Sequence, residues 1–317
     1  MKTYSVFKYM CVTTLIIVAS CFMTGCQKED FGTDSMLSKD EYESILKKEI
    51  DGLIAQSGRL EESFFYLHGL PVWENSKWVN VDSKDMLVVP LLSSNDHYKK
   101  YIVGVVENGK ISAVITELSE IEISKNRIFS LNNQVLYDGE LSTFIPRLKD
   151  DNEVAENLLL NGGSAQTLFA AVNGANTTYN SQASAGTLCI VAGYENSSGS
   201  SGSSGSLNPG HAWIQFADNS GNLTTFSIWG NQGSQEYHTN IELNRTWTST
   251  THCKPINYSQ FQSILTYNKN ADNLNYNLVT NNCSNYSAGI WKAVTGTNTS
   301  GGSIMTPNDI KTWINNQ

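Results

Sequence analysis

The sequence lacks three features that would place it in familiar classes of protein. It has no basic excess, because 21 Lys and Arg face 30 Asp and Glu and the formal net charge is -9. An acidic chain lacks the basic surface that binds the phosphates of nucleic acid, so we expect no nucleic-acid partner. Beyond its first residues it has no apolar run long enough to span a membrane. It also has neither a phosphate-binding loop nor a dinucleotide fingerprint, and we expect no cofactor.

Cysteine is scarce too, and its placement argues against a metal centre. Outside the N-terminal apolar run only Cys26, Cys189, Cys253 and Cys283 occur. His252 and Cys253 are adjacent, but neighbouring strand residues point to opposite faces, and no second Cys/His pair completes a zinc ligand set. Cys189 and Cys253 are either a disulfide formed in an oxidising compartment or two buried thiols. Both interpretations leave Cys283 free.

The N-terminal residues have the pattern of an export signal. Lys2 and Lys8 precede an apolar run, Cys11 to Met23, that is too short for a spanning helix. The run ends in Met23-Thr24-Gly25-Cys26, which resembles a bacterial lipobox. That resemblance implies a signal peptide over residues 1–25, lipid on Cys26 and a tether over residues 26–37. The following acidic residues resemble the surface-export signals of Bacteroides-group lipoproteins, so we expect an outer-membrane lipoprotein of the cell envelope, exposed at its surface.

Residues 38–148 have the pattern of an α+β domain, with a helix and an antiparallel sheet. Ser38-Lys39-Asp40-Glu41 is a capping box in front of an amphipathic helix. Asn108-Gly109 indicates a hairpin between two of the expected strands. The strands predicted in this domain are Met86–Leu92, Tyr101–Val106, Ile111–Thr116, Arg127–Leu131 and Gln134–Tyr137.

Residues 149–185 are predicted to be a linker, with helical pieces around Val154–Leu160 and Ala165–Val172, and residues 186–317 a second α+β domain. In that domain Thr187–Tyr194 is a continuous apolar run, which is typical of a buried central strand. The other strands predicted there are His211–Phe216, Leu223–Trp229 and Tyr276–Leu278. In the first of these, Ala212, Ile214 and Phe216 are expected on one face and His211, Trp213 and Gln215 on the other. Its helices are predicted over Ser259–Asn268, after Cys283, and from Thr306 onward.

Cys283 stands at the predicted start of a helix. Apolar or small residues at Tyr286, Ile290 and Val294 line one face of that helix, and Gly296 is a suitable C-terminal cap. The unpaired N–H groups at a helix N-terminus favour a thiolate, which is the nucleophilic form of cysteine. Cys283 is therefore the candidate nucleophile, although a buried structural thiol is the common role of a free cysteine.

His211 is the candidate base, because it opens a predicted strand directly after a Ser/Gly-rich loop. A structural histidine is the alternative. The base needs a partner that orients its ring, and the hairpin brings Asn231 or Ser227 close to His211. We favour Asn231, because an amide oxygen accepts a hydrogen bond well, but ordinary hairpin polarity explains both residues equally. Trp213 and Trp229 are candidates for the cleft wall.

The order of these motifs carries a resemblance. Gly210-His211-Ala212-Trp213-Ile214, then Tyr276-Asn277-Leu278, then Asn281-Asn282-Cys283-Ser284-Asn285-Tyr286, resembles the circularly permuted papain-like hydrolases. These include permuted NlpC/P60 enzymes, lecithin:retinol acyltransferase-like proteins and papain-like toxin domains. The resemblance covers Thr187 to Gln317 and implies an antiparallel sheet packed on the helix that begins with the cysteine.

The resemblance implies a lipid-anchored cysteine hydrolase that cleaves an amide bond in a cell-wall peptide or a protein. Cys283 would attack the carbonyl, His211 would move the proton, and the Cys283 backbone N–H would bind the oxyanion. Two alternatives stay open. One is a catalytically inactive surface lipoprotein that binds peptide or glycan, and the other is a lipid acyltransferase or esterase with the same dyad. The expected partners are a peptide or peptidoglycan-like substrate and the membrane reached through Cys26.

Overall fold

The computed structural model describes residues 37–94, 98–120, 126–139, 165–195, 210–231, 234–271, 282–299 and 305–317. Contacts divide the chain into two compact units, Met1–Leu37 and Ser38–Gln317, and the second contains everything described below. The predicted signal peptide, lipidation at Cys26 and nearly all of the tether lie outside the described residues. So do the helix expected at Val154–Leu160 and the strand expected at Tyr276–Leu278.

The fold is α+β, as the sequence predicts, and its sheets are antiparallel throughout. The α-helices, numbered in chain order, are α1 Lys39–Ile54, α2 Phe64–Leu67, α3 Ala165–Ala175, α4 Tyr258–Ala271, α5 Cys283–Thr295 and α6 Pro307–Asn315. Short 3-10 helices occupy Leu60–Glu62, Trp73–Asn75 and Ile241–Asn244. The strands are β1 Gly58–Arg59, β2 Leu70–Pro71, β3 Lys77–Val81, β4 Lys84–Leu92, β5 Tyr98–Glu107, β6 Lys110–Ser119, β7 Asn126–Ser130, β8 Val135–Gly139, β9 Ser184–Glu195, β10 His211–Asp218, β11 Leu223–Asn231, β12 Ser234–Thr239 and β13 Trp247–Asn257.

The first sheet has the order β2-β4-β5-β6-β7-β8, with β3 paired to β4. Its hairpin between β5 and β6 is the one that the sequence predicts. Asn108 and Gly109 adopt φ values of 51° and 72°, so the turn needs the residues that tolerate a left-handed backbone. The capping box at the start of α1 is confirmed as well: Ser38 Oγ accepts from Glu41 N, and the Glu41 carboxylate accepts from Ser38 N at 2.7 Å.

The second sheet has the order β1-β12-β11-β10-β9-β13. The alternation predicted for β10 is confirmed, because Ala212, Ile214 and Phe216 belong to the large buried cluster while Trp213 belongs to a small cluster on the other face. The large cluster also contains side chains of α4, α5 and α6, such as Trp291 of α5. The cysteine-bearing helix α5 thus packs on the face of the sheet opposite Trp213.

One buried cluster joins the two halves of the chain. It contains Leu46 of α1 and Ile102 of the first sheet together with Ile190 and Phe216 of the second. Helix α3, inside the predicted linker, packs against the first sheet in a separate cluster. The domain boundaries at residues 148, 149, 185 and 186 stay a prediction. Among the described helices none is long and apolar enough to cross a membrane.

Cys189 and Cys253 form a disulfide, which decides between the two interpretations of these residues. They lie directly opposite each other on β9 and β13. His252, the neighbour of Cys253, points the other way and makes edge contacts with Trp291 and Trp313. The described residues contain no cluster of His, Cys, Asp and Glu that could hold a metal ion.

Candidate active site

Cys283 is the first residue of α5, as the sequence predicts. The cap itself is Asn282, whose side-chain oxygen accepts from Ser284 N at 2.9 Å and Asn285 N at 3.0 Å. The Asn282 amide nitrogen donates to Met305 O at 2.8 Å, which ties the helix start to the chain in front of α6. Because the cap accepts from the N–H groups of Ser284 and Asn285, the N–H group of Cys283 is left outside the cap. The residue is only partly buried, so reagents can reach this end of the helix.

His211 is the first residue of β10, and Gly210 makes that position possible. Gly210 has φ of 74°, and a Cβ there would stand 3.1 Å from Tyr194 Cε1 and 3.2 Å from Pro307 Cβ. A larger residue would therefore be strained and crowded at once. This glycine brings the chain tightly into the strand and buries the His211 ring, of which 5% is exposed.

The structure places Cys283 and His211 near each other, and each group shifts the pKa of the other. Burial opposes charge on both groups, but their mutual contact outweighs it. It raises the pKa of His211 to about 9, with help from Glu242. It lowers the pKa of Cys283, and the backbone N–H of Ala212 and the Ser284 hydroxyl lower that pKa further. Both shifts favour the thiolate and the imidazolium over the neutral pair.

The orienting group of His211 is Glu242, which our sequence reasoning missed. Its carboxylate oxygen Oε1 lies 3.1 Å from His211 Nε2, and only 3% of the residue is exposed. A buried carboxylate facing the second ring nitrogen holds the imidazole in one orientation and stabilises its charge. Burial opposes the carboxylate charge, yet the contacts with His211, Ser227 and Thr225 lower the pKa of Glu242.

Glu242 reaches the site on the 3-10 helix Ile241–Asn244, and Asn240 fixes that helix. Asn240 has φ of 60°, and its side chain donates to Ile54 O at 2.7 Å and accepts from Thr225 N at 2.9 Å. No local signal marks Glu242, because it is buried while the neighbouring Leu243 is 41% exposed. The 31-residue separation of Glu242 from His211 hid the pairing.

Of the two residues predicted to orient His211, the structure describes only the side chain of Ser227. Asn231 is the last residue of β11, where its backbone pairs with Ser234; its side chain lies outside what the structure describes. Ser227 is fully buried and hydrogen-bonds the Glu242 carboxylate, so it lies one step away from His211. Glu242, and not Asn231 or Ser227, makes the described contact with His211 Nε2.

Three tryptophans surround the imidazole. The rings of Trp229, Trp247 and Trp213 have centroids 4.2, 5.6 and 5.8 Å from that of His211. We predicted Trp213 and Trp229 near the cleft, and the structure places both against the base; Trp247 was missed. Indole faces stabilise a neighbouring cation, so this wall suits an imidazolium.

The described site is thus a chain of thiol, imidazole and carboxylate at a helix N-terminus, which can form a nucleophile and shuttle one proton. Comparison of the chain with protein-family models, with curated proteins and with solved structures finds no match.

Proposed function

We propose that this protein is a cysteine hydrolase that cleaves an amide bond, with Cys283 as nucleophile, His211 as acid and base, and Glu242 as the orienting carboxylate. The observation that carries the proposal is the buried contact of His211 with Cys283 on one side and Glu242 on the other. Structural histidines seldom join a cysteine at a helix start to a buried acid. Groups with shifted pKa values that meet in this order are typical of active sites.

The reaction has two halves. The Cys283 thiolate attacks the carbonyl carbon, and the Cys283 backbone N–H meets the oxyanion. The imidazolium of His211 gives its proton to the leaving amine as the C–N bond breaks, which leaves a thioester on Cys283. His211 then takes a proton from water, the resulting hydroxide attacks the thioester, and the acid departs as the thiol sulfur is released.

The substrate class and the location follow from the sequence resemblance and belong to the same proposal. A papain-like enzyme anchored through lipid on Cys26 would meet cell-wall peptides or extracellular proteins. The same three residues can open an ester, so a lipid esterase or acyltransferase is the second candidate chemistry. The lack of a clear orienting group in the sequence supported the inactive binding protein that we considered; the contact of Glu242 with His211 supports the enzyme instead.

Cys283→Ala provides the test. We expect the variant to keep its melting temperature within a few degrees, because a small residue at a helix start removes little packing, and to lose all turnover. Wild type and variant are incubated with muropeptides, an unfolded protein and a phospholipid, and products are identified by mass spectrometry. New amine and acid termini from the wild type alone support the amidase. Equal activity of the variant, or wild-type inertness on all three substrates, would overturn the proposal.

A further inference from the structure

Strand β11 presents three hydrogen-bonding side chains to the same carboxylate. Thr225, Ser227 and Trp229 alternate along the strand and therefore share one face. Thr225 Oγ1 donates to Glu242 Oε2 at 2.7 Å, and Trp229 Nε1 donates to Glu242 Oε1 at 2.9 Å. Ser227 Oγ accepts from Trp229 Nε1 at 3.1 Å, so the indole N–H is shared between this hydroxyl and the carboxylate, and Ser227 also lowers the pKa of Glu242.

The two oxygens of Glu242 are held by different residues. Oε1 is shared by His211 Nε2 at 3.1 Å and the Trp229 indole, so the oxygen that faces the base lies between two N–H groups. Oε2 receives the hydroxyl of Thr225. A carboxylate with both oxygens bonded cannot turn about its terminal bond without losing donors, and each donor favours its ionised form.

Trp229 also touches the base directly. Its ring centroid lies 4.2 Å from that of His211, and the Arg245 guanidinium lies 4.3 Å from the same indole ring. The Trp229 indole thus contacts both the Arg245 guanidinium and the His211 imidazole. The charged groups around the base are Cys283 from α5 and Glu242 from the 3-10 helix, with Arg245 against Trp229.

We propose that Trp229 is the positioning residue of this site. Its N–H holds the Glu242 oxygen that faces His211, and its ring holds the imidazole toward Cys283, while Thr225 holds the other oxygen. This role rests on the proposed function, because Trp229 would position groups for that reaction. Its direct consequence, however, is the reactivity of the Cys283 thiol. That reactivity can be measured without any substrate.

Trp229→Phe is the test, because phenylalanine keeps an aromatic ring and lacks the N–H. The full chain is alkylated with iodoacetamide across a pH series, and modification of the Cys283 peptide is followed by mass spectrometry. The variant loses the indole N–H that donates to the Glu242 carboxylate, so the pH midpoint of alkylation should rise by about one unit. Below the midpoint this corresponds to an alkylation rate that is about tenfold lower. Trp247→Phe is the matched control, since the Trp247 indole donates to the backbone oxygen of Glu242 at 3.2 Å and not to its carboxylate.

A second pair of variants keeps the test valid if Trp229→Phe folds poorly. Thr225→Val removes the hydroxyl at nearly constant shape and should raise the midpoint, while Thr225→Ser should restore it. A wild type with a lowered midpoint, together with unshifted Trp229→Phe and Thr225→Val, would overturn the positioning role and leave the hydrolase proposal standing. A wild type that alkylates like an ordinary thiol would instead contradict the proposed function.

Discussion

Two buried histidines of this protein have opposite chemistry. His211 of the second sheet has a carboxylate and a thiol as partners, and its pKa is raised to about 9. His68, beside the first sheet, is 2% exposed, and neither of its ring nitrogens has a hydrogen-bond partner among the described residues. Burial and the charge of Lys100 lower the pKa of His68 to about 3. Burial lowers the pKa of a histidine and favours its neutral form. Contacts with acidic groups, as at His211, raise the pKa instead.

Two buried acids of the protein, one in each half of the chain, show a similar contrast. Glu117 of the first sheet lies 2.9 Å from Lys100 and 2.7 Å from Arg127, so it forms ion pairs with both cations. Among the described residues, Glu242 has no Lys or Arg as an ion-pair partner. It faces His211, and its other donors, Thr225 and Trp229, are neutral. A buried acid bonded to permanent cations stabilises structure, whereas one bonded to a titratable base controls that base.

The largest effect should come from making His211 resemble His68. Glu242→Gln removes the charge that faces Nε2, so the pKa of His211 should fall and that of Cys283 should rise. We expect turnover to drop by about a hundredfold or more, because the base loses both orientation and charge stabilisation. The measurements are kcat/KM and the pH midpoint of Cys283 alkylation.

Glu236→Gln is the control for that substitution. Glu236 lies 3.2 Å from His238 Nε2 on β12, but its side chain is 42% exposed, so water replaces much of its influence. We expect both measurements to stay at wild-type values in this variant. Equal losses in the two variants would show that the buried position of Glu242 has no special role.

The pH dependence separates the two histidines. The pKa of folded His211, about 9, exceeds its ordinary value of 6.5, so the stability that it contributes is complete below 6.5 and lost as pH rises through about 9. The lowered pKa of Cys283 acts in the other direction, and its contribution is lost as pH falls through that pKa. Turnover should decline above about pH 9, because His211 then loses the proton that the leaving amine needs. A profile that keeps rising beyond that pH would contradict the ion pair.

The smallest effect is expected at His68. His68→Leu removes two unpartnered nitrogens from an apolar site, so unfolding at pH 7 should cost the same or about 1 kcal/mol more. The lowered pKa of folded His68 makes stability fall as pH drops from 6.5 toward about 3, and the variant should lose that part of the dependence. Urea unfolding at pH 7 and pH 5 measures both. His238→Leu, at a bonded histidine, should give no stabilisation.

Local signals predicted much of the secondary structure. The capping boxes at Ser38 and Thr306, the Asn108-Gly109 turn and the alternation in β10 act over a few residues, so the sequence displays them directly. Cys283 and His211 were found in the same way, each from its place at the start of an element. The domain boundaries were harder to judge, because the buried cluster that includes residues of both sheets has no signature within either segment.

By itself the sequence predicted that Cys283 begins a helix and that His211 begins a strand, because a helix start and a strand start are encoded by neighbours along the chain. Only the tertiary structure decided which acid faces His211 and that Cys189 bonds Cys253. Glu242 reaches its place because Asn240 turns the chain through a left-handed conformation and bonds both Ile54 and Thr225. The packing of segments that are distant in sequence brings Glu242 to His211, so no spacing along the chain predicts this contact.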